Sequence, residues 1–258
     1  MTVSPRHKDL HVERICSYPV SSLDIGRCTD MIMGWISAGV SRKYFVCANP
    51  HSFVEADNDP EFKQALFEAD LMTPDGIGIV IASKLQGGSI RARITGSDMF
   101  QAVSRCLSER GGGRVFVLGS TEPNLEKMKQ KMAADFPGLS AVGTYSPPFT
   151  SRFSEADNAA MVDAVNGFAP DVLWVGMTAP KQEKWIYRNR TRLNVGFIGA
   201  VGAVFDFYIG RVKRSHPMFL KTGLEWLPRL FRQPGRLWRR TCISAPRFLL
   251  MALRSRAH

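Results

Sequence analysis

Four short runs rich in β-branched and aromatic residues recur along the chain: Tyr44–Ala48, Val115–Leu118, Val172–Val175 and Val195–Ile198. Each is followed by Gly, Asn or Pro and then by a helix-like pattern. Asp59-Pro60-Glu61 has the composition of an N-cap, a first-turn proline and an acidic first turn, and predicts a helix to about Ala69. Thr121–Phe136, Ser154–Phe168 and Pro180–Arg192 read as further surface helices. Such alternation folds most simply as an α/β domain of Rossmann-like type, a mostly parallel sheet with helices on both faces. Ligands then bind at the carboxyl ends of the strands. The polar and glycine-rich segments fall at those ends: Asn49-Pro50-His51, Thr73-Pro74-Asp75-Gly76, Gly119-Ser120-Thr121 and Gly199–Gly202. A length of 258 residues, 45% of them hydrophobic and 22% charged, suits such a domain and excludes a disordered chain.

Charge divides the chain in two. Residues 1–210 hold 22 basic and 22 acidic side chains, whereas residues 211–258 hold 12 basic ones against Glu225 alone. The whole formal charge of +11 therefore sits in the tail, which calls for an anionic partner. The organisation read from this is an α/β catalytic body over 1–210 and a basic, amphipathic helical appendage over 211–258. In the appendage, Pro217, Pro228, Pro234 and Pro246 separate short segments, and Arg229, Arg232, Arg236, Arg239 and Arg240 interleave with Trp226, Leu230, Phe231 and Trp238. Basic plus aromatic residues on a short helix form an interfacial membrane anchor. The plainer reading is a basic helix with its apolar side on the body.

Other classes find little support. The five cysteines are scattered and odd in number, with no CxxC pair, so neither a disulfide framework nor a zinc site is expected. The N-terminus MTVSPRHKDLHVER lacks the apolar core of a signal peptide. The apolar stretch Leu193–Phe205 is too short to span a membrane, so contact with a bilayer would be peripheral. Gly76 and Gly78 lack the third glycine of a dinucleotide fingerprint, since position 81 is Ile81, and there is no phosphate-binding P-loop. These absences weigh against a second Rossmann-type nucleotide enzyme, such as a dehydrogenase. No nucleic-acid recognition motif accompanies the basic tail, so a nucleic-acid partner is the weaker alternative.

Individual residues carry two readings each. Asp75 in Thr-Pro-Asp-Gly suits a general base at a strand end, although spacing alone favours a helix cap. Arg91 and Arg93, ahead of a Thr-Gly turn and a helix start near Ser97-Asp98, suit either a diphosphate or a surface ion pair. Lys181 and Gln182, at a helix start, suit phosphate or sugar hydroxyls, or are ordinary first-turn polarity. Asp57-Asn58-Asp59 has the Asp-x-Asp form of metal-dependent sugar transferases, but capping by Asp59 accounts for it and no metal is expected there. His51 and His216 lack metal-ligand companions, and Cys47 reads as a small buried residue at a strand end.

A series of segments in fixed order resembles the WecG/TagA/CpsF glycosyltransferase family: ANPHSFVEADNDPEFKQALFEADLMTPDGIGIV, RITGSDMF, VFVLGS, DVLWVGMTAPKQEKWI, VGFIGAVGAVFDFYIGRVKR and GLEWLPRLFRQPGRLWRR. Together they cover roughly residues 40–250. The resemblance implies an inverting, metal-independent bacterial enzyme with no cofactor. Its donor would be a UDP-sugar, either UDP-N-acetylmannosamine, the corresponding uronic acid or UDP-glucose. Its acceptor would be a polyprenyl-diphosphate-linked sugar at the cytoplasmic face of the inner membrane, in surface polysaccharide synthesis. It implies Asp75 as general base, Arg93 near the donor diphosphate and Gln182 as an active-site glutamine. Cys47, Asn49, Thr73, Gly76, Gly119, Gly176, Lys181, Gly199 and Gly202 fall in the matching donor-side segments. Arg214, Arg229, Arg236 and Arg239 would bring the appendage over the diphosphate near an anionic membrane surface. Cys47 stands where family members carry a threonine, which implies altered donor specificity, and Ser215-His216-Pro217 replaces the more usual Ala-Pro after Arg214. Self-association is a further possibility.

Overall fold

A computed structural model describes residues 11–212 and 243–255. Its centre is a six-stranded, wholly parallel sheet. The elements before it are a hairpin, β1 (Val12–Ile15) and β2 (Tyr18–Ser21), and helix α1 (Ile25–Ser37). The first half of the sheet follows: β3 (Lys43–Ala48), α2 (Pro50–Asp57), α3 (Pro60–Phe67), β4 (Leu71–Pro74), α4 (Ile77–Leu85) and α5 (Gly96–Arg110). The second half comprises β5 (Arg114–Gly119), α6 (Glu122–Asp135), β6 (Ala141–Tyr145), α7 (Glu155–Phe168), β7 (Val172–Gly176), α8 (Lys181–Asn189), β8 (Phe197–Ala200) and α9 (Val204–Tyr208). A C-terminal helix spans Ala245–Arg254. The strand order is β4-β3-β8-β7-β5-β6.

Period-two alternation splits the core between the sheet faces. Tyr44, Val46 and Ala48 of β3, Phe116 and Leu118 of β5, and Leu173 and Val175 of β7 point to one face. There they meet Phe53 of α2, Phe62 of α3, Val165 of α7 and Ile186 of α8. Phe45, Val115, Val117, Val172 and Trp174 point to the other, against Ile32 and Met33 of α1, Phe100 and Val103 of α5, and Met128 of α6. Both faces are covered, as continuous apolar strands require.

Local chemistry sets the helix starts. Asn49, Asp59 and Asp24 accept from the backbone N–H groups of Ser52, Phe62 and Arg27, capping α2, α3 and α1. Thr95 with Asp98, and Ser154 with Asp157, form reciprocal capping boxes at α5 and α7. Asp59 also receives Lys184 Nζ at 2.7 Å, so the Asp-x-Asp stretch is a cap and an ion pair. The C-terminal helix buries Phe248 and Ala252 and packs against α2 and α4. Phe248 lies 6.1 Å from the Phe53 ring, and His51 Nδ1 is 2.9 Å from Ser244 Oγ. That part of the appendage follows the plainer reading and sits on the body. Arg214, Arg229, Arg236, Arg239 and His216 lie outside the described residues.

Candidate active site

A cleft of about 390 Å³ opens at the carboxyl ends of β3, β4, β7 and β8. Its walls include Cys47 and Asn49 after β3, Asp75 after β4, Arg93 and the first turn of α5, Gln182 and Glu183 of α8, and the Ala200–Val204 segment after β8.

The strand ends are tied to one another before they present any side chain. Asp75 N–H donates to Ala48 O at 2.6 Å, and Ile94 N–H donates to Pro74 O at 2.8 Å. Thr73, fully buried, donates from Oγ1 to Ile94 O at 3.0 Å. Thr73 therefore acts beneath the cleft, fixing the loop that carries Arg93. Gly76 has φ of +125° and is itself the cap of α4, with no side-chain cap hydrogen bond. The capping reading of Asp75 is thus corrected: the cap position is Gly76, and Asp75 lines the cleft. A Cβ at Gly78 would lie 2.5 Å from Pro50 Cγ, so only glycine lets α4 start this close to α2.

Gln182 is a staple. Its Oε1 accepts from Met177 N at 3.2 Å and from Gly202 N at 2.9 Å, joining the loops that follow β7 and β8. Two backbone donors on that oxygen fix the amide orientation. Its Nε2 then donates to Glu183 Oε1 at 2.9 Å. Glu183 is 4% exposed, and its Oε2 has no hydrogen-bond partner among the described residues. Burial raises its pKa to about 7, against hydrogen bonds from the Gln182 side chain and a backbone N–H that lower it. Cys47 is half-buried at the same wall. Burial, then the negative charge of Asp75, pushes its thiol well above the ordinary range, so it is a neutral group and not a thiolate nucleophile.

The first turn of α5 supplies the remaining wall. Thr95, Gly96, Ser97 and Asp98 line the cleft at the N-terminus of a 15-residue helix. Helix N-termini of this kind attract phosphate oxygens.

A glycosyl transferase family profile, described as the WecG/TagA/CpsF family, matches residues 13–258. The chain belongs to the WecG/TagA/CpsF family. Three relatives carry the name N-acetylglucosaminyldiphosphoundecaprenol N-acetyl-beta-D-mannosaminyltransferase. The one from Bacillus spizizenii is 32% identical, over 82% of this chain and 79% of its own length. Those from Bacillus subtilis and Staphylococcus aureus are 27% and 25% identical, covering 80% and 75% of this chain and 77% and 75% of their own lengths.

In this WecG/TagA/CpsF chain the cleft gathers Asp75, Arg93, Gln182, Cys47, Asn49 and Gly202 from the residues singled out by sequence. It does not gather Lys181. That ammonium donates to Thr150 O at 2.5 Å and lies 3.7 Å from the Phe153 ring centroid, turned away from the cleft wall. Gly119, Gly176 and Gly199 are also packing positions rather than cleft walls. A Cβ at these sites would strike Gly176 O, the Phe205 ring and the Trp174 ring respectively. Sequence reasoning passed over Glu183, Ser52 and the Thr178-Ala179 turn, which line the cleft. The one available signal for Glu183 was its place beside Gln182 in the first turn of α8. Among the described residues no three His, Cys, Asp or Glu side chains gather as a metal-ligand set.

Proposed function

We propose that the chain transfers an N-acetylmannosamine-type sugar or glucose from a UDP-sugar to a polyprenyl-diphosphate-linked sugar, with inversion and without a metal. The relatives' name supplies the acceptor class, a diphosphate-linked N-acetylglucosamine on a polyprenol. The observation that carries the chemistry is Asp75 facing the same cleft as Arg93 and the start of α5.

In this reading Asp75 takes the proton from the acceptor hydroxyl as its oxygen bonds to the anomeric carbon. The bond from that carbon to the UDP oxygen breaks on the opposite side, and its electron pair leaves with UDP. Arg93 and the N–H groups of α5 meet the charge that develops on the diphosphate. Arginine suits this because it is always charged and its planar fork matches phosphate oxygens in pairs. Losing one such preorganised donor would cost about 2–4 kcal/mol of transition-state stabilisation. Gln182 holds the two loops that form the floor, and Cys47, beside the sugar position, tunes donor choice. The described walls carry the carboxyls of Asp75, Asp98 and Glu183 against the single guanidinium of Arg93. The cationic complement of a diphosphate then comes from the tail arginines, Arg214, Arg229, Arg236 and Arg239.

The same reading places the protein at the cytoplasmic face of the inner membrane. Among the described residues no helix is long and apolar enough to cross a bilayer. Ile77, Ile81 and Leu85 of α4 are exposed at four-residue spacing, beside the exposed Leu249, Leu250 and Leu253 of the C-terminal helix. Each tail cation near an anionic surface adds about 1 kcal/mol, so binding to anionic vesicles should weaken steeply with salt. Binding indifferent to salt would count against the tail's role.

The test is a screen of UDP-sugars against a short-chain polyprenyl-diphosphate-linked N-acetylglucosamine. Wild type should give a β-linked product with one donor. Asp75→Asn should lose about a thousandfold in kcat, in keeping with general-base removal, while binding UDP as tightly as wild type. Full turnover by that variant would remove Asp75 from the mechanism.

A further inference from the structure

The cleft is the smaller of two cavities that meet at two residues. Beside it, on the α1 and α5 side of the sheet, lies a groove of about 620 Å³. Arg93 and Asp98 line both. The groove runs from the start of α1 along the loop 89–94 to the face of α5 that carries Asp98, Gln101, Ala102 and Arg105. Its lining has two characters. Guanidinium groups come from Arg27, Arg91, Arg93 and Arg105, and an aliphatic floor comes from Leu23, Ile25, Ile90 and Ile94.

The groove's four guanidiniums outnumber its two carboxylates, Asp24 and Asp98. Asp24 Oδ1 is held by Arg27 N–H at 2.8 Å as the cap of α1, and its Oδ2 is 4.0 Å from Arg27 Nε with both side chains exposed. Asp98 Oδ2 accepts from Thr95 N at 2.9 Å and Thr95 Oγ1 at 2.8 Å within the capping box of α5. Arg91 donates to Gly88 O at 2.7 Å, and Arg105 has no hydrogen-bond or ion-pair partner among the described residues. Four guanidiniums against two carboxylates give the groove lining a net positive charge within a body whose basic and acidic residues are equal in number.

We propose that this groove holds the diphosphate and first isoprene units of the lipid-linked acceptor, with Arg27, Arg91 and Arg105 on the phosphates and the aliphatic floor under the lipid. This rests on the glycosyl-transfer reading above and deepens it. A lipid diphosphate is amphipathic in the same sense as the groove, anionic at one end and branched hydrocarbon beyond. A second nucleotide fits less well, because no aromatic ring lines the groove to stack on a base. With its diphosphate on Arg27, Arg91 and Arg105, the acceptor sugar points past Arg93 into the cleft that Asp75 lines. The groove's outer wall, Ser89–Arg91, follows directly on α4, whose exposed Ile77, Ile81 and Leu85 share a surface with the C-terminal helix. Gln86 fixes that junction by donating from Nε2 to Ala252 O at 3.1 Å and Ser255 Oγ at 2.9 Å. The lipid therefore leaves the groove beside the apolar face.

The test is steady-state kinetics on the full chain with Arg27→Ala/Arg105→Ala, both exposed positions outside the cleft. The acceptor is farnesyl-diphosphate-linked N-acetylglucosamine. The acceptor KM should rise roughly tenfold or more, as loss of one charge-assisted contact implies, with the donor KM and slow donor hydrolysis unchanged. Arg27→Lys/Arg105→Lys should recover part of the loss. An unchanged acceptor KM in the alanine variant overturns the groove while leaving the transfer reading intact. If wild type itself transfers nothing, the reading of the function fails instead. The groove is then judged by direct titration with farnesyl diphosphate and with inorganic pyrophosphate. Weaker farnesyl diphosphate binding by the alanine variant supports it. Equal binding overturns it, as does pyrophosphate binding as tightly as farnesyl diphosphate.

Discussion

Replacing Glu183 by glutamine should make the protein more stable at neutral pH, and the amount follows from the burial of that one carboxyl. Glu183 is 4% exposed, with one oxygen bonded to Gln182 and the other without a partner among the described residues. Desolvation lifts its pKa from 4.5 to about 7. In the unfolded chain the group returns to its ordinary value. Between those two values the folded state holds a proton that the unfolded state has released, so stability falls as pH rises. The favourable contribution is complete below about 4.5, is lost progressively up to about 7, and stays lost above that. At about 1.36 kcal/mol per pH unit, the loss comes to roughly 3 kcal/mol. Glutamine keeps an acceptor for Gln182 Nε2 and cannot ionise. Urea unfolding of both proteins from pH 4.5 to 8 isolates the group, because Asp75, Asp98 and the Cys47 thiol near it are unchanged in the variant. The stability of Glu183→Gln relative to wild type should climb by about 3 kcal/mol across that range. A difference that stays flat would show that the carboxyl reaches water or an unseen cation, and the burial argument would be wrong.

Two other measurements probe the framework. Cys47 should resist iodoacetamide at pH 8 in the native protein, because burial and the neighbouring Asp75 hold its thiol protonated. Peptide mapping that finds Cys47 alkylated as fast as free cysteine would contradict this. Phe248→Ala should cost about 3 kcal/mol in urea unfolding, the usual penalty for emptying a buried aromatic site, since the ring seals the C-terminal helix against Phe53. A loss under about 1 kcal/mol would mean that the helix is not held on the body by that contact.

The parallel sheet was legible because fully buried strands must be apolar on both faces. β3, β5 and β7 fall within two residues of the runs read from sequence. β8 was read two residues early, at Val195–Ile198, because Gly199 looks like the start of a turn. It is instead a strand residue paired with Trp174, whose ring occupies the space a side chain would need. β6 escaped notice as an edge strand, half-buried along its whole length. The β1–β2 hairpin turns through Cys16 and Ser17 at positive φ, without the Asn-Gly or Asp-Gly that marks such turns. Asp75 and Arg93 line the cleft, and that placement was legible because they sit at a strand end and on the loop beside it. Lys181 misled because a first-turn lysine looks like a phosphate ligand, and only the fold shows Thr150 and Phe153 claiming it. Glu183 was missed for the opposite reason. First-turn acids are ordinarily exposed, and its burial arises only when the loops after β7 and β8 close over α8.

Charge explains why these pieces belong in one protein. In the proposed reading, donor and acceptor each bring a doubly charged diphosphate, and both must approach a base that is itself an anion. The body alone cannot neutralise them, since residues 1–210 carry as many acids as bases. Two arrangements on either side of Asp75 address this. The buried Glu183, protonated below about 7, withdraws one negative charge from the cleft wall. Cations are set apart from it, four arginines lining the groove and the chain's whole basic excess in the tail. Separation matters as much as number. Cations packed around a carboxylate hold its negative charge and weaken it as a base, whereas cations set farther off attract phosphate without that cost. The same logic makes the cationic tail useful only when a membrane holds it near the cleft. In the reading proposed here, that is where the lipid-linked acceptor also resides.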